Sequence, residues 1–169
     1  KEENGRIQAR VHPTFVPDTH PLASVNDAFN AVFVKGHACG DMMFYGRGAG
    51  DLPTASALVS DLICAAKAKR HELPAVSEAP CRMAEDWCCV HFVRMRAKDE
   101  PGVLSLITGG FAAEGVSIAS MVQKGERDEA GFVQLIFLTH RAGEHAVRRA
   151  LAKMDSAQAS AESVIRVEE

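Results

Sequence analysis

The second half of the chain carries the pattern that most restricts its fold, because strand-like and helix-like hydrophobic periods alternate there at short, regular spacing. Val93, Met95 and Ala97 alternate with Arg94, Arg96 and Lys98, which predicts a strand with one buried and one wet face. The run DEPGVL, Asp99 to Leu104, then opens a helix: two acids precede Pro101, and Leu104, Ile107 and Phe111 recur at i, i+3 and i+7. Gly115 is the expected left-handed cap. VSIASMVQ predicts a second strand, with Val116, Ile118 and Val122 on one face and Ser117, Ala119, Met121 and Gln123 on the other. KGERDEAG reads as a charged hairpin turn bounded by glycines, and FVQLIFL as a central strand covered on both faces. A helix from about Gly143 to Met154 places Val147, Ala150, Leu151 and Met154 on one stripe, and SVIRV closes the chain as a strand. The order is βαββαβ, the ferredoxin-like split unit of an α+β fold.

The first half is organised around GRGAGDLPTASALVSD, Gly46 to Asp61, in which three glycines stand directly before a well-signalled helix. Pro53 falls in the first helical turn, Asp51 complements the positive end, and Ala55, Leu58, Val59, Leu62, Ile63 and Ala66 recur at helical spacing. Lys67, Lys69 and Arg70 gather where the helix dipole is negative. Ahead of this lies FNAVFVKGHACGDMMFY, two apolar runs about a turn that carries Gly36 and Gly40. A glycine-rich loop between strand and helix brings bare N–H groups up to an anionic ligand. The spacing GxGxG is not the GxGxxG of the dinucleotide fingerprint, and no βαβ unit follows.

Between the halves, HELPAVSEAPCRMAED has two prolines, several acids and alanines and no apolar period, which is linker chemistry. The division expected is therefore 1–70, a linker over 71–86, and 87–169. The net charge of −3 arises from 19 basic and 22 acidic residues with no basic run, so no nucleic-acid partner is expected. No segment approaches the ~18 consecutive apolar residues of a membrane span. Five cysteines, with Cys88 and Cys89 adjacent, do not suit a stapled secreted framework, and a reducing cytoplasm is the natural reading. Cys81, Cys88, Cys89 and His91 lack paired CxxC spacing, so no metal site is expected, and no histidine stands with a nucleophile and a third orienting group.

Two strings carry a family resemblance. HPTFVPDTHPLASVNDAFNAVFVKG, followed by MMFYGRGAGDLPTASALVSDLI, resembles the end of the catalytic portion of homoserine dehydrogenases, and DEPGVLSLITGGFAAEGVSIASMVQ with a strand ending FLTH resembles the ACT domain. The resemblance implies a remnant of the homoserine dehydrogenase substrate and dimerisation region followed by an ACT domain. The implied parent enzyme interconverts L-aspartate 4-semialdehyde and L-homoserine with NAD(P)(H), on the route to threonine and methionine. It also implies that the nucleotide-binding domain and catalytic lysine lie upstream, so that this stretch holds no catalytic residue and is inactive alone. By position in the family, Gly50 contacts the cofactor. Asp99, Gly102, Val103 and Leu104, with Ser117, Ile118 and Gln123, hold an amino-acid effector, threonine being the expected one, and ACT units pair into homo-oligomers. Asp99 is equally placed to cap the helix, Val103 and Leu104 to be core contacts, and Gln123 to face solvent or a partner chain. The alternatives are a non-catalytic amino-acid sensor and an ACT tail of another biosynthetic enzyme.

Overall fold

The computed structural model of the chain describes residues 2–3, 5–67 and 82–168. In chain order the strands and helices are β1 (Glu2–Glu3), β2 (Arg6–Ile7), β3 (Thr14–Phe15), β4 (Phe29–Gly36), β5 (Gly40–Arg47), α1 (Asp51–Lys67), β6 (Arg82–Met83), β7 (Cys88–Lys98), α2 (Val103–Ala113), β8 (Ile118–Lys124), β9 (Phe132–Thr139), β10 (Ala142–Gly143), α3 (Glu144–Met154) and β11 (Ala159–Val167). They fall into two compact units, one made of residues 1–15 and 81–169 and the other of 16–80. Most of the expected linker, with Lys69, Arg70 and Cys81, lies outside the described residues. Within the described part of that expected linker, Arg82–Met83 is a short strand parallel to β2.

The larger unit is the βαββαβ fold read from the sequence. Its sheet runs β3-β11-β7-β9-β8, with β10 also on β7. The pairs β11/β7, β7/β9 and β9/β8 are antiparallel. Helices α2 and α3 cover one face. Val93, Met95 and Ala97 are fully buried, and with Leu135 and Phe137 they meet Val103, Ile107 and Phe111 from α2 and Val147, Ala150 and Met154 from α3. The Phe111 and Phe137 rings sit 5.6 Å apart at the centre. Gly110 is required where α2 and α3 cross, since a Cβ there would run into the Met154 side chain.

Local sequence explains the joints. Gly115 has φ +70, its N–H donates to Ala112 O, and the Val116 N–H donates to Phe111 O (2.9 Å), the paired bonds that end α2. In the β8–β9 turn, the Asp128 carboxylate accepts from the Ala130 and Phe132 N–H groups while its other oxygen takes Arg96 Nη2 at 2.6 Å. The strand faces of β8 differ from the simple alternation. A bulge between Ile118 and Ser120 shifts the period by one, so Met121 and Gln123 stand opposite Phe137 and Leu135 on the helix-side face. Val122, expected inward, is 55% exposed on the other face. Strand β9 is likewise covered on one face only: Val133, Leu135 and Phe137 are buried, Ile136 and Leu138 half-buried, and Gln134 exposed. A feature absent from the sequence reading is β3, which joins the sheet edge parallel to β11, with Phe15 packed edge-on against Phe92 at 5.2 Å.

The smaller unit contains the β4–β5 hairpin and α1. Gly40 takes φ +71 at the turn, Phe29 and Tyr45 stack at 4.8 Å, and α1 begins at Asp51. None of the described residues of 16–67 is buried, and Leu52, Leu58 and Leu62 on α1 are 81%, 60% and 69% exposed.

Because Phe111 is fully enclosed between Phe137 and α3, Phe111→Ala should lower the stability of the larger unit by about 3–5 kcal/mol. Urea unfolding followed by far-ultraviolet circular dichroism measures it, and a loss below about 1 kcal/mol would contradict this core.

Candidate functional site

Two helix N-termini and one buried charge cluster carry the chemistry. At the first, β7 ends at Lys98, the Asp99 N–H donates to Gly131 O, and the chain turns through Glu100 and Pro101 into α2. Gly102 occupies the N-cap with φ +93 and no side chain caps the helix, so Asp99 is not the cap. The Val103 N–H turns back on Glu100 O at 3.3 Å and the Leu106 N–H on Gly102 O, while no hydrogen bond from the Gly102, Leu104 or Ser105 N–H is present among the described residues. Open space surrounds the position where a Gly102 side chain would sit. Exposed, unpaired donors at the positive end of a helix are the arrangement that receives a carboxylate.

The candidate effector residues divide. Asp99, Gly102 and Leu104 are exposed around this turn, and Val103 is a core residue at 3% exposure. Gln123, near the end of β8, lies at the same end of the sheet, because Lys124 pairs with Gln134 and Lys98 with Phe132. Ser117 and Ile118 lie at the opposite end, where Ile118 pairs with Thr139 and Ser117 O accepts the His140 N–H. Roughly 20 Å of strand separates Ile118 from Lys124, so one copy of the chain does not bring all seven together.

The second N-terminus opens α1. Gly50 has φ +125, a conformation that side chains strain to adopt, and its carbonyl accepts both the N–H (3.1 Å) and the hydroxyl (2.8 Å) of Thr54. The glycine thus forms the entry to the helix and leaves its backbone exposed, which fits close approach of an anionic group.

The third feature was not visible in the sequence. Cys89 and His91, two apart on β7 and therefore on one face, meet Glu144 at the first turn of α3. All three are buried, with His91 Nε2 3.5 Å from Cys89 Sγ and 3.1 Å from a Glu144 oxygen. Their ligand atoms lie within 4.8 Å of one another, near enough for a metal ion. Glu144 is already taken, however: Arg166 grips both carboxylate oxygens, with Nε at 3.0 Å, and Arg148 Nε donates at 2.9 Å. A further cation would have to displace guanidinium groups that neutralise this carboxylate. Burial alone would raise the Glu144 pKa, but hydrogen bonds from Arg166, His91 and Arg148 outweigh it and hold it near 2. Burial pushes the Cys89 thiol up, while Arg10 pulls against it. Cys88, next in the chain, points to the opposite side and is exposed. The only signal available in the sequence was the Cys-x-His strand spacing, since Glu144 lies 53 residues away.

These features define an α+β unit with an open helix N-terminus, carried on the same chain as a glycine-loop helix. Comparison with known proteins makes the class specific. Residues 3–63 match the family model for homoserine dehydrogenase, and residues 91–155 match that for the ACT domain. Homoserine dehydrogenase of Mycobacterium tuberculosis is 40% identical over 99% of the chain, and that of Pseudomonas aeruginosa is 34% identical over the same share. The crystal structure of a homoserine dehydrogenase from Thiobacillus denitrificans superposes with a TM-score of 0.77 at 35% identity, covering 99% of this chain and 40% of that one. The Staphylococcus aureus homoserine dehydrogenase superposes with a TM-score of 0.57 at 27% identity, again over 99% of this chain and 39% of that one. The chain belongs to the homoserine dehydrogenase family and includes an ACT domain. It spans about two fifths of the length of the curated relatives it matches, 40% and 41% for the two named. Among the described residues, no helix is long and apolar enough to cross a membrane.

The Glu144 carboxyl, lowered to about 2 from an ordinary 4.5, stabilises the fold at any pH above 4.5 and loses that contribution as the pH falls toward 2. Removing its charge leaves the half-buried Arg166 without its counter-charge, so Glu144→Gln should cost about 3–5 kcal/mol at pH 7. The wild type should also lose more stability than the variant between pH 5 and 2.5 in parallel urea unfolding curves. Equal acid limbs for the two proteins would rule out Glu144 as the titrating group.

Proposed function

We propose that the chain is the C-terminal part of a cytoplasmic homoserine dehydrogenase. In this reading, 1–70 is the end of the catalytic region, 71–86 the linker, and 87–169 an ACT domain that binds threonine as a feedback signal. One observation carries the reading: a single chain joins the glycine-loop helix to the ACT fold and is matched over 99% of its length by homoserine dehydrogenases. An amino-acid sensor without catalytic kin, or an ACT tail of an unrelated enzyme, has no use for GRGAGDLPTASA. The parent reaction interconverts L-aspartate 4-semialdehyde and L-homoserine, and NAD(P)(H), when bound, supplies or accepts the hydride. Gly50 serves that reaction by letting exposed backbone approach the cofactor. The compact units suggest a refinement of the boundaries, since residues 1–15 cluster with the ACT half although the family match begins at residue 3.

Effector binding rests on the unpaired N–H groups of α2, with Gln123 alongside. Ser117 and Ile118, at the far end of β8, would join the site from a second copy of the chain, which ties effector binding to homo-oligomer formation.

Calorimetric titration of the 169-residue chain with threonine tests this, with isoleucine, methionine and serine as controls. Gly102→Asp should abolish binding by placing a charge where the carboxylate sits. Gly102→Ala should retain it, with folding weakened by about 1–2 kcal/mol because φ +93 strains a side chain. Equal binding by wild type and Gly102→Asp would eliminate the α2 site, and a response to another amino acid alone would replace threonine as its ligand.

The chain by itself should give no turnover of homoserine with NAD or NADP above the buffer blank. Hydride transfer needs a held nicotinamide and a proton-transfer group at the substrate oxygen, and the portion proposed here supplies neither. Measurable turnover proportional to protein concentration would overturn the assignment of this region as non-catalytic.

A further inference from the structure

Arg10 occupies an unusual position. Its guanidinium lies over the ring of Trp87, with Cζ 4.8 Å from the centroid, and makes neither a hydrogen bond nor an ion pair among the described residues. Arg10 Nη1 and Trp87 Nε1 are both sealed from solvent and both lack an acceptor. Unsatisfied buried donors are costly, and a charged one more so. Both belong to one stacked pair, and a bound acceptor would relieve them. Arg10 also lines a recess of ≈ 530 Å³ with Gln8, His12, Thr14 and Glu168, where Thr14 Oγ1 and His12 Nδ1 lie 2.9 Å apart. The nearby Cys89 thiol feels Arg10, Arg166 and Arg141, which lower its pKa against burial and Glu144, which raise it. Arg166 is committed to Glu144, and Arg141 Nη2 donates to Cys88 O at 3.0 Å.

We propose that this recess is a binding site for a small oxyanion, a carboxylate or a phosphoryl group, held chiefly by Arg10 with the Trp87 indole N–H beside it. The planar guanidinium, fixed by stacking, presents parallel N–H groups to two oxygens of one ligand. Trp87 precedes β7 and the α2 turn follows it, so roughly 40 Å of strand separates this site from the effector site proposed above. The two are independent. Glu168 opposes an anion in the same recess, and its charge keeps the affinity moderate.

Trp87 is the only tryptophan in the chain, so intrinsic fluorescence reports on this site alone. The full chain is titrated separately with inorganic phosphate and with acetate, at ionic strength held constant with chloride. A saturable fluorescence change is expected with at least one of them, and the responding anion identifies the ligand as phosphoryl or carboxylate. Arg10→Met should raise the half-saturation point by about tenfold or more, and Glu168→Gln should lower it. Gly102→Asp should leave it unchanged. Circular dichroism and melting confirm that Arg10→Met is folded, and if it is not, Trp87→Phe, titrated by calorimetry, should show the weakened binding in its place. The absence of saturation with either anion, or an equal response from Arg10→Met, would mean that Arg10 holds no anion, and the site would be discarded.

Discussion

The buried carboxylate of Glu144 is the interaction on which the ACT unit depends. It stands at the start of α3 and receives Arg166 from β11, Arg148 from its own helix and His91 from β7. Strands β7 and β11 are already in register through their backbone ladder, and the carboxylate ties α3, which otherwise packs on the sheet without directional bonds of this kind, to both of them. Removing such a charge from water is expensive, and the three donor side chains, Arg166 with two of its nitrogens, together with the positive end of α3 offset the cost. The arrangement contributes more to specifying one packing than to raw stability, because an apolar replacement of similar volume would remove the desolvation term along with the attraction. It also explains why Cys89, His91 and Glu144 form a metal-like constellation without the charge balance of one: the guanidinium groups already supply the counter-charge.

Around that anchor, the open helix end of α2 follows from small local choices. Gly102 takes a positive φ that lets the chain leave β7 and enter the helix within a few residues, and no side chain then competes for the first N–H groups. Gly110 lets α2 pack closely on Met154 of α3. The bulge in β8 does the complementary work at the other edge, turning Met121 and Gln123 toward the helix-side face.

Those local choices were also the legible ones. The strand order, the α2 and α3 boundaries and the Gly115 cap are encoded within a few residues of where they act, so period and turn chemistry recover them. Val122 was read as inward because alternation is blind to a single inserted residue, and a bulge reveals itself only in pairing with β9. Asp99 was a reasonable cap by residue type, but the positive φ of Gly102 moved the cap position past it. The Glu144 cluster and the β3–β11 pair were out of reach for a different reason. Their partners lie 22 to 53 residues apart in the first case and about the length of the chain in the second, and no local period carries that information. Leu58, Val59, Leu62 and Ile63 formed a sound helical stripe, yet their exposure depends on what surrounds α1, which its own sequence does not state.

The pairing of β3 with β11 gives the connectivity a property that a simple string of domains lacks. Residues 16–80 leave the ACT unit after one of its strands and return to it before another, so this stretch is an insertion within the unit, not an extension from its end. The last strand is bracketed by the two points where the chain departs and returns: β11 pairs on one side with β3, which precedes the insertion, and on the other with β7, which follows it, so both crossings are registered on a single strand.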